Sequence, residues 1–121
     1  MNFAEEKPIY LQIAEKIEDA ILSGAFPVES QIPSTTEISV SYKINPATAL
    51  KGINLLVDSG IAYKKRGLGM FVCTDAKEII SKKRKNEFFE RFVRSLLDEA
   101  KKLEIDRNEI ITMIERGYSN E

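Results

Sequence analysis

The sequence predicts an α+β protein: three helices closed by a β-hairpin, followed by an all-helical tail. Two observations carry this. Over residues 9–60, three stretches of helical periodicity each have a start and a stop signal, and residues 61–65 and 70–72 then read as short strands around a glycine-containing turn. From about Asp75 the pattern is helical throughout, with neither Pro nor Gly before Gly117. The expected division is a head, residues 1–74, and a two-helix tail, residues 75–121.

The first helix begins near Ile9, where Pro8 suits a helix start because its missing N–H would be unpaired there. Leu11, Ala14, Ile17, Ile21 and Leu22 form its apolar face, and Gly24 stops it. Gln31-Ile32-Pro33 is too short for more than one or two sheet pairings. Ser34-Thr35-Thr36-Glu37 has the Ser-x-x-Glu form of a capping box, opening a short helix to about Ser41. After a turn at Lys43-Ile44, Asn45-Pro46 reads as an N-cap and a first-turn proline. The third helix continues through Ala49, Ile53, Leu56 and Val57 to Gly60. In the tail, Asp106-Arg107-Asn108-Glu109 is a second capping box, opening the last helix, and Lys82 to Lys85 reads as a solvated basic neck.

Composition excludes several classes. Among 121 residues there is no His and one Cys, which removes His-based triads and the usual zinc clusters; neither a metal nor a cofactor is expected, and no enzyme. Cys73 has no partner for an internal disulfide, as suits a reducing cytoplasm. No stretch approaches the ~20 apolar residues of a membrane span, and no signal peptide opens the chain, so a cytoplasmic location is expected. The net charge of −1 conceals an asymmetry. Residues 1–42 hold two basic side chains against seven acidic ones, whereas residues 43–66 hold five basic ones against Asp58 alone. Binding to a polyanion follows the local potential rather than the total.

Three helices followed directly by a hairpin is the winged helix-turn-helix plan. Pro8-Ile9-Tyr10-Leu11-Gln12-Ile13, Ile21-Leu22-Ser23-Gly24, Ile32-Pro33-Ser34 and the hairpin from Arg66-Gly67-Leu68-Gly69 to Met70-Phe71-Val72 closely resemble the GntR family of bacterial transcription regulators. Asn45-Pro46-Ala47-Thr48 and the short helical tail are similar to its YtrA-like subfamily. The resemblance implies a dimeric, repressor-type regulator whose members are often linked to ABC-transporter genes. Larger subfamilies carry an effector-binding domain behind the head, and the 49 residues after Val72 are too few for one. One departure stands out. Where the family commonly has an Arg three residues after the Ile-Pro pair, this chain has Thr36, which removes a bidentate guanine reader.

A helix-turn-helix protein places the start of its reading helix in the major groove. Asn45, Ala47, Thr48 and Lys51 occupy the first turns of that helix, with Asn, Thr and Lys able to bond bases or phosphates and the methyls of Ala47 and Thr48 able to touch thymine. Asn45 also serves as the N-cap. Ser34, Thr35 and Thr36 open the second helix, whose amide groups and positive dipole end favour an anion. Lys43 in the turn is a further phosphate candidate. In the wing, Lys64, Lys65 and Arg66 supply cations, while Gly67 and Gly69 allow close approach to a DNA backbone.

The tail stripe of Phe88, Phe89, Phe92, Val93, Leu96, Leu97, Ala100 and Leu103, with Ile110 and Ile114 beyond it, exceeds what two helices can cover between them. Self-association is expected, and a homodimer would set two reading helices about one DNA turn, ~34 Å, apart on an inverted repeat. Expected partners are therefore double-stranded DNA and a second copy of the chain. A small-molecule effector at the junction of head and tail could add control. The alternative at this stage is a winged-helix protein-interaction module, since fold alone does not imply DNA binding. Lys51, Lys64, Lys65 and Arg66 argue against it, because a pure adaptor has no need of them.

Overall fold

The structure is a computed structural model that describes residues 7–120. Its elements in chain order are α1 (Ile9–Ser23), α2 (Thr35–Tyr42), α3 (Pro46–Asp58), β1 (Ala62–Lys65), β2 (Gly69–Val72), α4 (Ala76–Phe88), a π turn (Phe89–Val93), α5 (Arg94–Lys102) and α6 (Arg107–Ser119). The chain forms two compact units, one ending at Lys83 and the other beginning at Arg84.

In the first unit the local signals act as read. Gly24 caps α1 in the left-handed conformation, and its N–H bonds the Ile21 carbonyl. At α2 the Ser34 hydroxyl accepts from Glu37 N–H (3.1 Å), while Ser34 N–H donates back to the Glu37 carboxylate (3.0 Å). At α3 the Asn45 Oδ1 accepts from Ala47 N–H at 2.7 Å, with Pro46 in the first turn. β1 and β2 pair antiparallel, in register from Ala62 opposite Val72 to Lys65 opposite Gly69. Gln31 makes an isolated bridge to Phe71, and Ile32 N–H bonds the Met70 carbonyl (2.9 Å), so the Gln31-Ile32 segment lies along the hairpin's second strand.

Ile13, Ile17 and Ile21 of α1, Ile38 of α2, and Ile53 and Leu56 of α3 pack with Ile61 and Val72 of the hairpin in one core. Each such side chain, fully buried, contributes about 1.5–3 kcal/mol. α1 and α3 approach so closely that a Cβ on Gly52 would stand 2.9 Å from the Tyr10 carbonyl oxygen; only glycine fits there.

Two features differ from the sequence reading. The core extends beyond residue 74: Ala76 and Ile80 are wholly buried in it, so the first turns of α4 belong to the head unit. The Lys82–Lys85 run is also not uniformly solvated. Lys83 donates its ammonium to Glu18, a carboxylate that is 2% exposed on the buried face of α1. A charge so deep needs this kind of partner, because desolvation disfavours an isolated carboxylate.

The second unit departs from a regular helix at Phe89–Val93, where the backbone opens into a π turn. The spacing of the apolar stripe explains it. Phe88, Phe92, Leu96 and Ala100 recur every four residues, and on an α-helix each such step rotates the stripe by about 40°. A π turn accommodates an extra residue and takes much of that drift back. Asp106 caps α6 in the expected box: its side chain accepts from Glu109 N–H (2.9 Å), and Asp106 N–H donates to the Glu109 carboxylate (3.3 Å).

Candidate nucleic-acid interface

The geometry of this face starts from the turn between α2 and α3. Lys43 closes α2 in the left-handed conformation (φ 56°), with its N–H directed to the carbonyls of Ser39 and Val40. Ile44 N–H bonds the Ser39 carbonyl (3.0 Å), and the Ser39 hydroxyl donates to the Ile44 carbonyl (2.7 Å). These bonds fix where α3 begins. Ala49, Gly52, Ile53 and Leu56 turn one side of α3 into the core. Helical geometry then puts Ala47, Leu50, Lys51 and Asn54 on the outward side, and all four are exposed.

Leu50 and Asn54 were absent from the sequence reading. Both follow from the spacing of Ala47 (+3 and +7), a signal available once the buried face of α3 is known. Asn54 carries the paired donor and acceptor that match an adenine edge, and Leu50 (46% exposed) offers an apolar surface for a thymine methyl. Thr48 is half-buried on the flank of the helix. The Lys51 ammonium lies 4.1 Å from the centre of the Tyr10 ring, a cation–π position that steadies it against the head.

At α2 the capping box engages two groups of the helix start. Glu37, held below the usual carboxylate range first by the Ser34 N–H and then by the Ser34 hydroxyl, is ionised at neutral pH. Thr36 is exposed and Thr35 half-buried.

The wing cations divide. Lys64 and Arg66 are exposed, whereas the Lys65 ammonium stands over the Phe71 ring at 4.3 Å and beside Tyr63 at 5.8 Å, docked on the hairpin. Gly67 and Gly69 both have positive φ, 78° and 126°. Behind the wing, the Tyr63 hydroxyl donates to Glu29, and this bond raises the Tyr63 pKa to about 12.

Cys73 is half-buried at the end of the hairpin, with its thiol pKa raised first by burial and then by the nearby charges of Glu29 and Asp75. A raised pKa leaves less thiolate at a given pH, and thiolate is the reactive form. At pH 8, alkylation by iodoacetamide is expected to run slower than that of free cysteine and to accelerate as pH rises. A rate equal to or above that of free cysteine contradicts this.

In the second unit Phe88, Phe89, Phe92, Leu96, Leu97 and Leu103 are exposed, as are Ile111, Met113 and Ile114. Val93 and Ile110 are half-buried. Ala100 differs from the expectation that it is part of an outer stripe: it is 5% exposed, and the turn before α6 closes on it where Ile105 N–H bonds its carbonyl (2.9 Å). Phe88 and Phe92 pack on each other with ring centres 5.3 Å apart. Arg91 and Arg94 lie over the Phe92 and Phe89 rings. Among the described residues there is no His, Cys, Asp and Glu cluster able to hold a metal ion, and no helix is long and apolar enough to cross a membrane.

The comparisons with known proteins agree with this geometry. A family model described as "Bacterial regulatory proteins, gntR family" matches residues 9–72. The HTH-type transcriptional regulator YhcF of Bacillus subtilis, itself uncharacterised, is 31% identical over 97 residues, covering 78% of this chain and 80% of that protein. Three further curated relatives are longer, and the matches span 38%, 30% and 18% of them. Among solved structures, a GntR-family protein from Bacteroides thetaiotaomicron superposes with a TM-score of 0.73 at 36% identity, covering 93% of this chain and 97% of that one. AraR(DBD) in complex with operator ORR3 matches with a TM-score of 0.51 at 31% identity, covering 53% of this chain and 77% of that one.

Proposed function

The chain belongs to the GntR family of bacterial regulatory proteins and is a DNA-binding transcriptional regulator, and from that premise we propose that it acts as a homodimeric repressor on an inverted-repeat operator. The supporting observation is the outward face of α3, Ala47, Leu50, Lys51 and Asn54, which leads from the fixed turn at Lys43-Ile44. On this reading α3 enters the major groove, with Asn45, Ala47, Thr48, Leu50 and Asn54 toward base edges and sugars and Lys51 toward a phosphate. Ser34, Thr35, Thr36 and Lys43 meet the phosphate backbone, and Lys64, Arg66, Gly67 and Gly69 flank the minor groove. Lys65 contributes charge from its place on Phe71.

The exposed apolar surface of the tail supports self-association. Phe88, Phe92, Leu96, Ile111 and Ile114 left in water would be an unusual cost for a monomer, and a second copy is the simplest cover. Two heads on one body raise affinity through effective concentration. Repression follows from occupancy alone, since a dimer seated on promoter DNA excludes the polymerase.

The Asn45-Pro46-Ala47-Thr48 motif and the helical character of the tail favour a place in the YtrA-like subfamily, and the reading includes transporter genes as targets and the cytoplasm as the site of action. A small-molecule effector would act by binding two states of the dimer unequally; equal affinity shifts nothing. The test is a titration of the chain against the DNA upstream of its own gene beside a scrambled duplex, with tighter binding expected to the former.

A further inference from the structure

The tip of the wing holds one residue that charge and glycine content do not explain. Leu68 is 66% exposed between Gly67 and Gly69. A lone exposed leucine on a protein surface is ordinary. This one sits on a backbone anchored from both sides. Its N–H donates to the Lys65 carbonyl (2.9 Å), closing the turn, and its carbonyl accepts from the Gln31 side-chain amide at 2.8 Å. Gln31 is in turn tied to the hairpin by its bridge to Phe71. Gly69 is what admits this strut, because a Cβ there would stand 2.5 Å from Gln31 Nε2. A Cβ on Gly67 would meet nothing within 4 Å, so the tip is narrow and open beside the leucine.

We propose that Leu68 is an apolar wedge that enters the DNA minor groove and partly unstacks the base step it meets, with Gln31 as the strut that positions it. The inference rests on the operator-binding reading above. The chemistry favours DNA over a protein partner. Exposed Lys64 and Arg66 flank the tip and suit phosphates, a single leucine is far smaller than an apolar protein-docking patch, and a leucine standing between two glycines fits a groove about 6 Å wide. Leucine is among the side chains that other minor-groove proteins insert, kinking the duplex by roughly 20–90°. Rigidity matters because a tip ordered before binding loses little freedom on insertion. Specificity then includes deformability: a pyrimidine–purine step under the wing is easily unstacked, whereas an A-tract resists.

The test uses the full chain and a duplex selected by it from random sequences, labelled at both ends for energy transfer. Wild type is expected to shorten the end-to-end distance on binding, and replacing the step under the wing by an A-tract is expected to weaken it about tenfold. Leu68→Ala is expected to bind the selected duplex about tenfold more weakly, to bend it less, to ignore the A-tract replacement and to keep the wild-type salt dependence. Gln31→Ala is expected to fall between the two. Equal bending and affinity for Leu68→Ala and wild type overturn the wedge while leaving the regulator reading intact. Failure of wild type to select any duplex overturns both.

Discussion

Replacing both Phe92 and Leu96 by Glu is expected to convert the protein to monomers and to weaken operator binding by about 10²–10⁴-fold, the range that linkage of two sites supplies. Phe92 is 54% exposed and Leu96 43%, one step apart on a stripe already out of the water-exposed norm for large apolar side chains. Their substitution touches no residue of the buried core and costs the surface contact of Phe92 with the Phe88 ring. Four added carboxylates per dimer, facing each other across a low-dielectric contact, oppose association further. Sedimentation equilibrium reads the mass, and circular dichroism is expected to show the helices retained. A variant that remains dimeric refutes this surface as the interface. A monomeric variant with full operator affinity refutes the need for a dimer.

The second large effect is expected at the wing. Lys64→Ala with Arg66→Ala removes the two exposed cations of the hairpin, four per dimer, without touching the core. Counterion release sets the scale. If Lys43, Lys51, Lys64 and Arg66 each neutralise one phosphate in both protomers, the salt slope is on the order of −7, and the double variant brings it to about −4. Binding near 150 mM salt is expected to weaken by about a hundredfold, for specific and random DNA alike, since phosphate contacts carry no sequence information. An unchanged slope in a folded double variant removes the wing from the interface. Lys65→Ala is the useful contrast, because its ammonium is docked on the Phe71 ring and less of the effect should follow from it.

Much of the head was legible because its signals are local. The Ser34–Glu37 box, the Asn45-Pro46 start and the Gly24 stop each specify a backbone event within four residues, and each is found where its residues stand. Interactions between distant segments were not legible. Glu18 sits within the apolar stripe of α1, between Ala14 and Ile21, and only the fold shows that Lys83, 65 positions away, meets it. The π turn was missed for a different reason. Its trace is the four-residue spacing of Phe88, Phe92, Leu96 and Ala100, which a search for α-helical periodicity accepts as near enough. Leu50 and Asn54 of α3 became visible only once Ala49, Gly52, Ile53 and Leu56 had fixed which face is buried. The wing tip was recognised by its glycines and cations, yet the Gln31 strut that holds Leu68 joins segments 37 residues apart.

The central claim is sequence-specific recognition of DNA, and a fluorescence-anisotropy titration tests it most directly. The full chain would be titrated at about 150 mM salt against the duplex immediately upstream of its own gene and against a scrambled duplex of equal length and composition. The account predicts binding on the order of a thousandfold tighter to the upstream duplex, within the usual range separating specific from non-specific complexes. Equal affinity for the two duplexes, or no binding to either, would contradict it.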